Sequence, residues 1–534
     1  MRLTELPRRA ALQGVLAALL ATTALVQVAR PAAAQEARVA LQTETSSIDP
    51  HYALVGANQT VAQHIFDALV GSDENLRPVP GLATFSNPEP DVWEFRIRED
   101  ARFHDGSPVT AEDVRFSLER MPKVPNSPAP FIRLAGAVTA VEVVDERTVR
   151  LRSRGPDPSV VLNAMTAYIV SARVAANAST ADFNSGRAAI GSGPWRFAEW
   201  QPGAQLRLTR NDSYWGPKPA FERATIRPVA NDAARMAALL AGDADLIDAV
   251  PPGEVARLRA RPEVGVTTSP SSRVIYIALD QDNDVSPFVT ARDGRPLAQN
   301  PLKDARVRRA LSLGINRAAI VERVISGASR ATAQLAVQGQ VGFDPALPAP
   351  EFDVAAARRL LSDAGYPEGF RITLHSPNNR YIEDDKTSQA VAQFWTRIGL
   401  DARVEVMPSN VFFTRAGKRE FSAFLIGFGH TTGDSWLGLS QVLRTYDQAR
   451  GLGGLNRGRY SSPDFDRVID EARGVVDPSR RDAMLRQAQE IAFRRDVGIL
   501  PLHVPDNVWA HRANLIYGGG LDENTLTQHL RPKP

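Results

Sequence analysis

Side chains able to do covalent or metal chemistry are few in this chain, and they are scattered. There is no cysteine, which removes thiol nucleophiles, disulfide frameworks, zinc knuckles, iron–sulfur ligation and an acylated cysteine together. The eight histidines, at 51, 64, 104, 375, 430, 503, 511 and 529, are dispersed, and no two stand three or four apart on a helix-forming stretch. Sequence-local metal pairs are therefore missing. So are the G-x-S-x-G elbow, the G-x-x-x-x-G-K loop, a complete G-x-G-x-x-G, S-x-x-K and H-E-x-x-H. These residues predict a protein that is not an enzyme and holds no cofactor or metal. What remains is polar binding chemistry. Ser376-Pro377-Asn378-Asn379-Arg380-Tyr381 follows a predicted strand over 370–374 and precedes a helix, where a loop presents side chains at a strand's carboxyl end. A planar guanidinium such as that of Arg380 donates two parallel hydrogen bonds and suits a carboxylate. Thr45, Ser46 and Ser47 follow a predicted strand over 39–41, and their hydroxyls suit either a ligand or the capping of their own turn.

These loops need a scaffold, and 534 residues with 43% apolar and 23% charged content supply one of ordinary globular character, long enough for two to four domains. Strands and helices alternate irregularly, which predicts mixed α/β domains rather than a repeat array or a bundle. Trp93, Phe95 and Ile97 alternate with charged residues as in a half-buried strand, and 141–151 reads as a hairpin turning at Asp145-Glu146. Thr110 with Asp113 resembles a capping box opening a helix. Residues 274–279 form a continuous apolar run, expected of a strand covered on both faces. Val307 to Ile325 predicts two packed helices ended at Gly327, and 481–493 a further helix. Glycine- and proline-rich breaks at 191–194, 345–350 and 451–458 mark turns where the chain can cross between lobes.

The net charge of +3 resides in residues 1–34, which hold Arg2, Arg8, Arg9 and Arg30 against Glu5; the remainder is balanced. A neutral body whose arginines are not clustered argues against nucleic-acid binding. Arg8-Arg9, the alanine-rich apolar run to Ala29 and then Ala32-Ala33-Ala34 are laid out as a signal peptide with cleavage after Ala34, predicting a periplasmic protein. No later segment is apolar for about 18 residues, the length needed to span a bilayer.

Phe95-Arg96-Ile97-Arg98-Glu99-Asp100-Ala101-Arg102-Phe103-His104-Asp105-Gly106, followed by Thr110-Ala111-Glu112-Asp113-Val114 and Phe116-Ser117-Leu118, resembles the signature of the dipeptide- and oligopeptide-binding family of bacterial extracellular solute-binding proteins, family 5. Gly191-Ser192-Gly193-Pro194-Trp195, Asn211 to Gly216, Val307 to Ser312, Ala364 to Pro367 and Asn456 to Asp466 extend the resemblance over nearly the whole chain after residue 34. The motifs have structural readings of their own: His104 supports an Asp-Gly turn, and Tyr214-Trp215 anchors another. The resemblance implies an α/β periplasmic-binding-protein-like fold of two lobes closing on a ligand. Its three domains would comprise 36–68, 190–270 and 500–534; 69–189; and 271–499. It further implies a monomer that captures a peptide or similar small polar solute and delivers it to an inner-membrane ABC permease. A non-peptide ligand (opine, glutathione-like conjugate, sugar or metal chelate) is the alternative. A secreted hydrolase or chaperone-like protein on the same scaffold is a more distant one.

By the same resemblance, ligand contacts fall on Ser46 and Ser47, on Asn379, Arg380 and Tyr381, and on Phe428, His430, Thr431, Asp434 and Trp436. Peptide-binding relatives grip the ligand carboxylate with an arginine in the region of Arg380. They place an aspartate for the ligand amine where this chain has Thr431, with Asp434 three residues later. A hydroxyl cannot neutralise a buried ammonium, so either Asp434 takes over or the ligand lacks the amine.

Overall fold

The computed structural model describes residues 36–534 apart from 129, 130, 132–135 and 449–451; the leader and its cleavage point lie outside the described residues. Strand Glu36–Leu41 runs parallel to Arg223–Pro228 on one side and to Leu246–Ile247 on the other. Antiparallel strands Gln205–Arg210 and Trp195–Gln201 continue the sheet outward. Both faces are covered. Val39, Leu41, Ile65, Phe66 and Trp195 pack on one side, and Ala40, Leu239, Ile247 and Leu258 on the other. Burying side chains of this size contributes roughly 1.5–3 kcal/mol each, and Ala37, Val39 and Leu41 supply the apolar face while Arg38 on the other face pairs with Asp245.

A second set of strands surrounds Arg273–Leu279. It pairs antiparallel with Ala423–Gly429, which is parallel to Arg371–Pro377, itself parallel to Asp401–Met407. The apolar run 274–279 is covered on both faces as its composition predicts: Val274 and Tyr276 enter one core, Ile275, Ile277 and Leu279 the other.

One strand, Leu500–Arg512, belongs to both sets. Its first residues pair with Arg273–Leu279, and its later ones with Val264–Pro270 and Leu246–Ile247, so that a 13-stranded sheet is continuous across the molecule. The second crossing, Ser271-Ser272, lies beside it, with the Ser271 N–H donating to the Pro505 carbonyl at 2.9 Å. Two adjacent strands therefore carry the chain between the lobes.

A separate four-stranded antiparallel sheet of Ala83–Glu89, Val92–Ile97, Thr148–Ser153 and Val138–Val143 encloses Phe95, Phe103, Val114 and Leu151 with helix Ala111–Arg120. The predicted hairpin and capping box are both present: Val141 faces Leu151, and the Thr110 and Asp113 side chains each accept the other's backbone N–H. His104 ties this unit to the first, donating its N–H to the Gly191 carbonyl at 2.7 Å with its ring Nε2 3.0 Å from the Gly193 carbonyl. Glycine is required at 191, where a Cβ would lie 1.9 Å from the Ile65 carbonyl oxygen. The predicted helices differ at their ends. Ala305–Leu313 stops at Gly314, and the chain after Arg317–Ala319 widens into a π-turn over Ile320–Val324, as does Glu490–Arg495 after helix Pro478–Gln489.

Candidate functional site

Strands Arg371–Pro377, Asp401–Met407 and Ala423–Gly429 run in one direction, so their carboxyl ends open along one edge of the second lobe. The loops there are cross-linked. Asn379 Oδ1 accepts the Ser409 N–H at 2.9 Å, and the Tyr381 hydroxyl donates to the Gly427 carbonyl at 3.4 Å. Buried Asp384 accepts the backbone N–H groups of Arg380 and Tyr381 with one oxygen, each at 3.0 Å. Gly427 leaves room for this packing, since a Cβ there would meet the Tyr381 ring at 2.9 Å. Arg380 rides on the Tyr381 ring, 5.1 Å from its centre, is exposed, and makes no side-chain hydrogen bond among the described residues. That is the condition of a cation available to a ligand.

The other expected contacts divide. Ser46 is exposed, its hydroxyl donating to Asn58 Oδ1 at 3.1 Å. Ser47 is buried and donates to Asn184 Oδ1 at 2.8 Å, while Thr45 Oγ1 donates to the Ser47 carbonyl at 2.9 Å. Those two hydroxyls are engaged in holding the loop. Phe428 packs in the lobe core, with His430 edge-on at 5.0 Å. His430 is buried and neutral, its pKa pushed down to about 4 chiefly by burial. Its Nε2 meets the Leu335 carbonyl at 2.8 Å, and its N–H donates to the Ser272 carbonyl at 3.0 Å. His430 thus ties the strand end to the crossing at Ser272, and Phe428 packs beneath it. Thr431 is exposed and borders an apolar pocket of the four-stranded unit lined by Leu54, Met121, Phe131 and Leu162.

Asp434 already has a cation of its own. Arg481 donates to it through Nε at 2.5 Å and Nη2 at 3.2 Å, and the two side chains are 6% and 5% exposed. The same carboxylate accepts the Trp436 N–H at 2.7 Å, and Trp436 turns its indole N–H to the Ile469 carbonyl at 2.9 Å. The Asp434 carboxylate is thus paired inside the lobe and nearly closed to solvent, and Trp436 faces the neighbouring helix.

Two residues outside the expected set complete the charged lining. Arg273, at the start of its strand, donates to both oxygens of Glu523 at 2.8 and 3.1 Å, and lies 5.9 Å from the Tyr381 ring centre. Burial opposes ionisation of Glu523, but the charge and hydrogen bonds of Arg273, with the field of Arg380 added, hold its carboxyl below the usual range. Next to it Asp522 is pushed up to about 6, mainly by burial and against the hydrogen bond from Asn524. Sequence offered one weak sign of each: a cation opening an otherwise apolar strand, and an acidic pair just after Gly518-Gly519-Gly520.

Two lobes joined by paired crossings, with an exposed arginine on a loop at the strand ends, are an arrangement suited to holding a small solute between lobes. The family model described as bacterial extracellular solute-binding proteins, family 5 Middle, matches residues 77–449. The chain belongs to this family, and is thereby the solute-binding component of an ABC importer. Similar proteins include the glutathione-binding protein GsiB of Escherichia coli strain K12, 26% identical over 521 residues that cover 94% of each chain. Two solved structures share the fold. The periplasmic binding protein DppA of Helicobacter pylori, in complex with the peptide STSA, matches with a TM-score of 0.73 at 22% identity over 93% of this chain and 98% of its own. AgaA of A. tumefaciens R10, in complex with agropinic acid, gives 0.71 at 21% identity over 93% and 99%.

Proposed function

We propose that this protein captures a small amino-acid-derived solute bearing at least one carboxylate, a peptide or glutathione-like molecule, and passes it as a monomer to an ABC permease at the inner membrane. The observation that carries the ligand class is Arg380: a guanidinium held over Tyr381, on a loop fixed by Asp384, with no partner of its own. The names of GsiB and of the DppA complex support it. The domain division at 36–68 with 190–270 and 500–534, 69–189 and 271–499 belongs to this reading, although Tyr168, Phe183 and Ala189 pack in the core of the first of these units. A second reading, a carboxylated ligand without an amine, is favoured by Thr431 and by the engagement of Asp434 with Arg481.

Calorimetry with glutathione and with Ala-Ala-Ala tests the ligand class. Arg380→Ala is expected to weaken binding by about 2–5 kcal/mol, the loss typical of a buried charged contact. Binding unchanged by that substitution removes Arg380 from the site. Small-angle scattering at saturation should show a smaller radius of gyration than without ligand, because lobes on two short crossings close around a molecule touching both.

Export is part of the proposal, since residues 1–34 have the charged start, apolar run and small-residue end in the order that signal peptidase needs. N-terminal sequencing of protein from the periplasmic fraction should begin at Gln35. A chain still starting at Met1 sinks that expectation.

A further inference from the structure

If the ligand is amino-acid-derived, as proposed above, its ammonium has no receptor on the loop 427–436, and the carboxylates near Arg380 can be taken in turn. Asp434 is bound by Arg481. Asp384 is buried and spends its oxygens on the backbone N–H groups of Arg380, Tyr381 and Asp385. Asp522 accepts from Asn524 Nδ2 at 2.8 Å.

Glu523 differs from all three. Its side chain is 47% exposed. Both oxygens accept from Arg273, yet a carboxylate has about four lone-pair sites, so the solvent-facing side stays open to a further donor. Its position is fixed from several directions. The Leu521 carbonyl accepts the Ser272 N–H at 2.7 Å, and Asn507 Nδ2 donates to the carbonyls of Gly520, Leu521 and Asp522. The Arg273 guanidinium fits beside Gly429, where a Cβ would come within 3.1 Å of it. Arg380 stands on the second lobe, 5.1 Å from the centre of the Tyr381 ring that Arg273, the partner of Glu523, approaches to 5.9 Å. An exposed cation and an anion with an open side thus stand around the Tyr381 ring and Arg273, one on each lobe.

We propose that Glu523 receives the ligand's ammonium group from the first lobe while Arg380 receives a carboxylate from the second, so that a zwitterionic amino-acid end bridges the lobes. Arg273 is then the positioning residue that keeps Glu523 ionised and aimed. This places amine recognition on the C-terminal loop, more than ninety residues beyond Thr431.

The test is titration calorimetry with glutathione and N-acetylglutathione, and with Ala-Ala-Ala and its N-acetyl form, on the wild type, E523Q and E523D. The wild type should bind each free-amine probe that it recognises at least tenfold more tightly than the acetylated counterpart. E523Q should bring that ratio close to one, and E523D, which keeps the charge, should retain a ratio well above one. E523D also keeps the assignment testable should E523Q not fold. A wild type that fails to discriminate, or an E523Q that discriminates as well as the wild type, overturns the assignment and leaves the carboxylate reading of Arg380 standing. A wild type that binds none of the four probes overturns the amino-acid-derived reading itself, and the role of Glu523 with it.

Discussion

Arg481→Met is expected to destabilise the protein by about 3–5 kcal/mol, the range for removing one partner of a buried ion pair. The guanidinium it deletes holds Asp434 through two hydrogen bonds and also donates to the Ala472 carbonyl at 2.5 Å. Without it, a carboxylate enclosed by the helix packing and the turn before Trp436 keeps its charge with no cation, or takes up a proton at a similar energetic penalty. Pairing the change with Asp434→Leu should recover most of the loss, because two apolar groups of suitable size tolerate the same site. Urea unfolding of the wild type, the single and the double variant decides it. A single variant within about 1 kcal/mol of wild type, as for an exposed pair, refutes the assignment of this pair as buried and structural. Asp434→Asn, likewise, should change stability and leave ligand discrimination alone.

Acid should destabilise the protein. His51, His64, His104, His430 and His503 are pushed down to about 4, burial being the leading cause at each. In the unfolded chain an imidazole titrates near 6.5. Between those values the unfolded state binds protons that the folded state refuses, so this stability is complete above about 6.5 and is lost as the pH falls. Asp67, Asp248 and Asp522 act in the opposite sense. Burial raises each to about 6, so below that value the folded state holds protons that the unfolded state lacks. Five imidazoles oppose three carboxyls. The urea midpoint is therefore expected to drop from pH 7 to pH 6 and to keep falling at a similar rate towards pH 4.5. A midpoint flat or rising across that range contradicts the burial of these histidines.

The sequence showed most clearly what local periodicity determines. Residues 274–279 announce a doubly covered strand because no polar side chain interrupts them, and Thr110 with Asp113 announces a helix start because the reciprocal bonds span only three residues. The binding loops were placed by likeness to a family, and there the reading separated according to partners that lie far off. Arg380 makes no side-chain hydrogen bond among the described residues, so its type and loop alone carry the proposal that it meets a ligand. Asp434 looked equally available until helix Pro478–Gln489 brought Arg481 against it from 47 positions away. His430 sits in a polar segment, yet its ring is enclosed because the Leu335 carbonyl accepts it. Arg273 and Glu523 are 250 residues apart, and no spacing rule connects them.

The position of Leu500–Arg512 has a consequence for assembly. The strand made nearly last lies inside the continuous sheet, between Arg273–Leu279 on one side and Leu246–Ile247 with Val264–Pro270 on the other. Until it emerges from the ribosome, each lobe keeps an open strand edge, and the pairings that close them span up to 265 residues. Contacts of such separation form slowly, because a long loop must be closed before they stabilise anything. A chain organised in this way stays unfinished throughout its synthesis, which is the state in which a secretory channel can thread it.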